Sequence, residues 1–458
     1  MLVDKFAEYA VATRELALPA EVMHATKRCV IDWFAATIPG GILPPATLLM
    51  ASLKEEVDRG DAMLVPSGRR ATARTAALIN GSAAHTVEFD DIYRDAAYHP
   101  GAPVIAAALA AGQSQHVPGD RFLRSVIAGY EISTRIGVAV IPAHYDFWHT
   151  TGTVGTFGAT VAAAVVLGLD STRTAHALAS AGTMAAGLQQ AFRSDAMSKP
   201  LHAGRAAETG VLVSLAAAQG VTGAMDILEG ARGFGAAMSK DPDWTQAFAD
   251  LGSSYNITRM TQKNHGACGH TFAAVDGVIA LRAKHELTAS NVKHVRVGTY
   301  AKALEITGND QPKTGFEAKF SLPYCAAVAL LTGQVRLNAF SPERLEEPEV
   351  RTLMSRIELY MDPAADAAFP RQRAAVVEIE TTDGNVYRHH APTRKGDPDN
   401  PLTDDELWAK YSELASPVIG QAAADSLLRT LWRLDDLGDV ATLPINNSEQ
   451  KIAKSQPS

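Results

Sequence analysis

Three cysteines, Cys29, Cys268 and Cys325, are all that the 458 residues contain. They are far apart and fit no Cys-x-x-Cys pair and no metal-finger spacing, and a reducing compartment is expected. There is no excess of positive charge either: 42 Lys+Arg stand against 50 Asp+Glu, a formal net charge of -8. Nucleic acid is therefore not an expected partner. No glycine-rich loop has Rossmann or Walker form, because Gly230-Ala-Arg-Gly-Phe-Gly235 lacks both a preceding strand and the required Lys. This disfavours a nucleotide-dependent dehydrogenase. The most apolar run, Gly155 to Leu169, is about 15 residues long, short of the roughly 20 that span a bilayer, and reads as a buried core helix. The start, Met1 to Tyr9, alternates charged with apolar residues instead of presenting the basic end and apolar stretch of an export signal. A soluble, cytoplasmic protein with no membrane partner is the expectation.

What is present is a hydrophobic fraction of 47% in a chain long enough for two domains. To about Gly266 the pattern is almost entirely helical. Pro19 opens a helix that Pro39-Gly40 ends, and further helices are predicted at Arg74 to Val87, Pro103 to Gln113, Asp120 to Ile136, Gly158 to Leu167, Ser171 to Gln190 and Ala203 to Gln219. Small residues on several faces of these helices suit close packing. After Phe272 the composition changes: Val292 to Tyr300 and Ser355 to Tyr360 read as strands, and Val376 to Arg388 as two strands joined through Asp383-Gly384. Thr403-Asp-Asp-Glu406 is a capping-box pattern opening a helical run to about Trp432. The polar end, Ser448 to Ser458, is expected to fray.

Four clusters carry chemistry. In the first, a helix ends in His85-Thr-Val-Glu88-Phe-Asp90-Asp91-Ile92-Tyr93-Arg94-Asp95, with Tyr98-His99-Pro100-Gly101 following. Carboxylates crowded at a helix C-terminus oppose its dipole and need a cation, solvent or a functional task, a polar surface loop being the alternative. Asp90, Asp91 and His99 are conceivable metal ligands, although their spacing fits neither zinc motifs nor a calcium loop. The second cluster, His144-Tyr145-Asp-Phe-Trp-His149-Thr150-Thr151-Gly152, precedes the apolar helix and reads either as a capped helix with packed aromatics or as a modest anion site. The third runs from Arg193 to Arg205 and includes Lys199, His202 and Arg205, of which the last two share a helix face if helical phase begins at Pro200. Two cations and a histidine there suit a polycarboxylate or phosphate, with a base role open to Lys199; solvated surface cations are the alternative. The fourth, Lys263-Asn-His265-Gly-Ala-Cys268-Gly-His270, offers a histidine at a helix start as an acid/base candidate and only a weak case for a thiolate nucleophile. Lys319-Phe-Ser-Leu-Pro-Tyr324 adds a tyrosine that is either a site hydroxyl or a core anchor.

In this order the clusters resemble the MmgE/PrpD family, which includes 2-methylcitrate dehydratase, cis-aconitate decarboxylase and iminodisuccinate epimerase. The likeness runs through His85 to Asp91 with His99-Pro-Gly, His149-Thr-Thr-Gly152, Lys199-Pro-Leu-His-Ala-Gly-Arg205, Leu228-Glu-Gly230 with Gly233-Phe234, Lys263 to His270, and Phe320-Ser-Leu-Pro-Tyr324. It implies a mainly α fold: a discontinuous all-helical domain, residues 1–270 and 395–458, with an inserted smaller α+β domain at 271–394. It also implies a homodimer, a cleft between domains as active site, and neither iron–sulfur cluster nor metal, so no cofactor is expected. By motif, Glu88 falls where the cis-aconitate decarboxylases have an active-site Asp and Ile92 where they have Thr. His99, His149, Lys199 and Tyr324 match site residues. Cys268 replaces the decarboxylases' later active-site His, and His270 aligns with a histidine of dehydratase-like members.

All three family activities pass through a carbanion beside a carboxylate. The expected mechanism is proton abstraction by His149, Lys199 or His270, with Lys199 and Arg205 stabilising the developing negative charge. Asp90 or Asp91 would orient a histidine or protonate a leaving hydroxyl, which His99 would assist. Glu88, Tyr93, Tyr145, His202, Arg205, Cys268 and Tyr324 would contact a small polycarboxylate. A hydro-lyase acting on 2-methylcitrate or a related hydroxy-polycarboxylate is preferred. An epimerase of an imino or amino dicarboxylate comes next, ahead of a cis-aconitate decarboxylase or a non-catalytic binding protein.

Overall fold

The most apolar run folds as the helix Thr150–Leu167, which starts earlier than its composition suggests. Its 18 residues are long and apolar enough to cross a membrane, yet 94% of them are buried inside the protein. It has no polar face to give to solvent, and the helices Gly101–Ser114, Gly119–Val140 and Ser198–Ala218 pack around it. The computed structural model describes residues 1–192 and 196–445; Arg193 to Asp195 and the polar end from Ser448 lie outside the described residues.

Two units make up the chain, Met1–Met260 with the segment from Asp404 onward, and Thr261–Thr403. The fold is mainly α, 57% helical with 19 helices among the described residues, the smaller unit being α+β. In the larger unit, a short antiparallel pair, β1 (Val57–Met63) and β2 (Arg70–Ala71), joins the helices. The helices Asp404–Ile419 and Gln421–Trp432, separated at Gly420, return to this unit and pack on the helix Ala20–Gly40. There Lys410 Nζ lies 2.5 Å from Asp32 Oδ1 and donates to the Phe89 carbonyl at 3.0 Å. Asp32 is the lone acid in an apolar helical run, and Lys410 answers it while fixing the loop that follows His85.

The predicted helix from Ser171 to Gln190 stops at Gly182. The reason is competition for backbone hydrogen bonds, since the chain beyond it pairs with the segment before the apolar helix. His149 N donates to Gly187 O at 2.9 Å and Gln189 N to Phe147 O at 2.9 Å. This pairing sets the entry of His149 into its helix.

In the smaller unit, strands β3 (Val292–Thr299), β4 (Ile357–Met361), β5 (Ala375–Thr381) and β6 (Val386–Ala391) form one sheet in the order β4-β3-β5-β6. β3 and β4 are parallel and the other pairs antiparallel. Val295, Val297, Val377 and Ile379 are buried in a core shared with the helices Phe272–His285 and Leu322–Thr332. The alternate residues carry charges, Arg296 lying 3.1 Å from Glu378 and 3.5 Å from Glu358, as the period of two requires for a half-buried sheet.

Candidate active site

The helix Ala73–Ala84 ends at His85, and the chain then turns sharply enough to put Glu88 at φ +63°. That left-handed conformation is strained for a residue with a Cβ and persists only where its surroundings hold it. Here the Glu88 carboxylate is held by an ion pair with Lys199, which sits in the first turn of the helix Ser198–Ala218. This helix begins two residues before Pro200, so Lys199 and His202, three apart, share a face.

The charge of this cation acts on three histidines, His85, His149 and His202. The rings of His85 and His149 stack with centroids 5.3 Å apart, and His149 and His202 approach to 5.3 Å with their Nδ1 atoms 3.0 Å apart. Burial lowers the His85 pKa to about 4, Asp90 opposing and Lys199 reinforcing the shift. His149 is driven well below the ordinary histidine range, first by burial and then by its neighbours His85, Lys199 and His202. His202 is lowered by burial and by Lys199. The result is a set of neutral imidazoles beside a fixed ammonium group.

Asp90 lies beneath two of the rings. Its Oδ2 is 2.6 Å from His85 Nδ1 and 3.2 Å from His99 Nδ1, the second contact lying off the line of a good hydrogen bond. Although burial alone would raise it, His85 and His99 hold Asp90 well below the usual carboxylate range. An ionised Asp90 accepts the Nδ1 proton of neutral His85 and leaves the Nε2 of that ring as its bare nitrogen. One ligand atom from each of His85, Asp90 and His99 falls within 4.8 Å of the others, close enough for a single metal ion. Of the three metal candidates drawn from sequence, Asp91 is replaced in this grouping by His85.

Asp91 faces the opposite way from Asp90. Its two oxygens accept from Gly101 N at 2.9 Å and Tyr130 OH at 2.7 Å, anchoring the start of the helix Gly101–Ser114. A Cβ at Gly101 would lie 2.7 Å from Asp91 Oδ1, so this close approach requires glycine. Burial raises the Asp91 pKa to about 7. Asp91 is thus a positioning residue, and the orienting role suggested for either acid falls to Asp90.

Other expected contacts sort differently. Arg205 is exposed and paired with Glu208, because a helix starting at Ser198 turns it outward. Tyr93 is buried and exchanges two backbone hydrogen bonds with Tyr98, at 2.7 and 3.2 Å. Its phenol, raised to about 12 by burial and Asp95, is not polarised toward ionisation. Tyr145 is exposed, and its carbonyl accepts from Gln189 at 2.9 Å. In the smaller unit, Tyr324 is fully buried and donates its hydroxyl to Ala339 O at 2.5 Å, a core anchor and not a site hydroxyl. His270 Nδ1 meets Tyr300 OH at 2.6 Å, and Cys268, partly exposed, donates its backbone N–H to Lys319 O at 2.8 Å.

Three residues that hold this loop and its histidines in place carry no assigned role in the sequence-based expectation: His85, Asp32 and Lys410. The first two had a signal, an imidazole five residues before Asp90 and an isolated acid in an apolar helix. Lys410 had none, being one of several charges on an amphipathic helix.

The MmgE/PrpD N-terminal domain matches residues 4–247 and the MmgE/PrpD C-terminal domain residues 265–436. This chain belongs to the MmgE/PrpD family. It is 28% identical over 463 residues to the cis-aconitate decarboxylase of Homo sapiens, covering 96% of this chain and 94% of that one. A cis-aconitate decarboxylase-like protein of Aspergillus oryzae is 25% identical over 450 residues, with 93% of each chain covered. The mouse cis-aconitate decarboxylase is 27% identical over 382 residues, covering 80% of this chain and 77% of that one. The family and these relatives are enzymes, of the hydro-lyase and decarboxylase type.

Proposed function

We propose that this MmgE/PrpD protein is a hydro-lyase that removes a proton from the carbon next to a carboxylate of a hydroxy-polycarboxylate of the 2-methylcitrate class. The observation that carries the reading is a group of neutral histidines within the field of Lys199, which is itself paired with Glu88. A neutral imidazole is a base at neutral pH, and a fixed ammonium stabilises the carbanion as its charge spreads onto the adjacent carboxylate. In this reading His149 takes the carbon-bound proton into the electron pair of a ring nitrogen, and the C–H electrons form the new double bond as hydroxide departs. His99, steered by Asp90, delivers a proton to that hydroxide so that it leaves as water. Lys199 acts as the cation and not as the base, because its ammonium group is engaged with Glu88.

The relatives' names favour decarboxylation as a second reading. The same base and cation would serve there, with carbon dioxide leaving to generate the carbanion and a proton then returning to carbon. A panel of methylcitrate, citrate, cis-aconitate and iminodisuccinate-type compounds in deuterated buffer, followed by proton NMR, separates the cases. A new alkene signal from a hydroxy acid supports dehydration. Loss of carbon dioxide from cis-aconitate replaces it with decarboxylation, and deuterium incorporation without an alkene replaces it with epimerisation.

A further inference from the structure

A polar cavity lies at the end of the helix that His149 opens. It measures about 400 Å³ and is lined by Arg14, Glu15, Asp120, Arg121, Arg124 and Gly168, all in the larger unit. The helix Thr150–Leu167 has 18 residues, so its two ends stand about 27 Å apart and separate this cavity from His149. The three arginines differ in what holds them. Arg124 is committed: its Nε donates to Asp120 Oδ2 at 2.7 Å, and its Nη1 to Thr13 O at 3.1 Å and Leu16 O at 2.8 Å. These bonds fix the turn after the helix Leu2–Ala12 and thereby set the position of Arg14. Arg14 Nη2 donates to Leu169 O, but its Nε is buried without a hydrogen-bond partner. Arg121 reaches only Val165 O, through Nε and Nη2, both at a long 3.4 Å.

Cations are favoured beside the carbonyls that the last turn of a helix leaves unpaired, and this accounts for part of the cluster. It does not account for two uncompensated charges. The nearby acids are taken, Asp120 by Arg124 and Asp170 by Arg173, and neither Arg14 nor Arg121 forms an ion pair among the described residues. Burial lowers the Arg14 pKa and the charge of Arg121 lowers it further, with Asp170 and Glu15 opposing. Two guanidiniums that repel each other beside an open cavity are stabilised by an anion that joins them. A phosphate group carries its two charges on one centre and suits cations close enough to repel, whereas a dicarboxylate spreads its charges over separate carbons.

We propose that Arg14 and Arg121 bind the phosphate group of a small phosphomonoester, whose body fills the rest of the cavity with the exposed Glu15 as an acceptor for one of its hydroxyls. A volume of this size is that of a small-molecule site and exceeds what a bare phosphate needs. The site stands independently of the reaction proposed above, since none of its residues takes part in that chemistry.

The test titrates the full-length protein calorimetrically with glycerol phosphate, inorganic phosphate and malonate at neutral pH and low ionic strength. Glycerol phosphate binds saturably, and malonate binds about tenfold or more weakly. Arg121→Gln lowers the glycerol phosphate affinity about tenfold or more, and Arg121→Lys retains most of it. Lys199→Ala leaves this affinity unchanged, which separates the cavity from the cation of the candidate active site. Amide hydrogen exchange of the wild-type protein, followed by peptide mass spectrometry, locates the ligand without any substitution: glycerol phosphate slows exchange in peptides covering residues 13–16 and 165–169. Equal affinities in wild type and Arg121→Gln overturn the proposal, as does protection confined to peptides around His149 and Lys199. Malonate binding as tightly as glycerol phosphate overturns the phosphate assignment, and binding of inorganic phosphate alone overturns the place given to the ligand's body.

Discussion

The Nδ1 atoms of His149 and His202 lie 3.0 Å apart, so one ring carries its proton on Nδ1 while the other leaves that nitrogen bare. The two rings share a single hydrogen and hold each other's tautomer. If His149 is the base, His149→Asn lowers kcat by roughly a hundredfold or more, the scale of general-base catalysis. His202→Asn has a smaller effect on kcat and shifts the pH profile instead, because it frees the tautomer of His149. Steady-state rates of both variants across pH distinguish the base from its partner.

In the proposed reaction Lys199 stabilises charge and does not abstract the proton. Lys199→Ala therefore lowers turnover by well over tenfold, a loss on the scale of a removed electrostatic stabiliser. The same change raises the pKa values of His149 and His202, since burial and this cation hold them down. Histidine proton resonances followed through a pH titration show that rise, whereas a Lys199 remote from these rings would leave them where they are.

Much of this site was legible in the sequence because its members lie in short motifs around helix ends: Glu88, Asp90 and His99 in one, His149 in another, Lys199 with His202 in a third. What was not legible is which way each side chain turns. Asp90 and Asp91 are adjacent, yet one accepts from His85 and the other from Gly101 and Tyr130. A helix start at Pro200 would put Arg205 on the face of His202, whereas the observed start at Ser198 leaves it paired with Glu208 outside. The helical and strand segments are legible as periodicity and their domain arrangement as what the family resemblance implies, whereas the pairing of residues 187–189 with 147–149 depends on long-range backbone bonds that no local pattern encodes.

The buried pair Asp32 and Lys410 ties the C-terminal helices to the loop after His85. Lys410→Met strands an acid in an apolar helix and costs roughly 3–5 kcal/mol of stability, while the double variant Asp32→Asn with Lys410→Met recovers a large part of it. Urea unfolding of the three proteins measures this. Equal losses in the single and double variants would contradict a coupled pair.

Acid sensitivity follows from the site's ionisation. His85 has a folded pKa near 4 against 6.5 for a free side chain, so the unfolded chain binds the extra proton between these values and stability falls as pH drops from 6.5 toward 4. Asp91 works in the opposite sense: its pKa of about 7 against 3.8 contributes stability that is full below 3.8 and is lost as pH rises through 7. Asp91→Asn removes that opposing term, and its stability between pH 4.5 and 6.5 falls more steeply with acid than wild type, by up to about 1.4 kcal/mol per pH unit. Denaturation midpoints at a series of pH values test the sign.

Tyr324 is a core anchor, its hydroxyl spent on the Ala339 carbonyl. Tyr324→Phe costs about 1 kcal/mol of stability, one hydrogen bond, and leaves kcat/KM within about twofold of wild type. A large loss of turnover at unchanged stability would restore it to the site.

The central claim is that a neutral His149 beside Lys199 removes a carbon-bound proton next to a carboxylate. Its most direct test is the rate of carbon–deuterium exchange or alkene formation in deuterated buffer with the substrate that the panel identifies, compared between wild type and a folded His149→Asn variant. The account predicts transfer in wild type and a loss of roughly a hundredfold or more in the variant. Undiminished proton transfer in His149→Asn would contradict it.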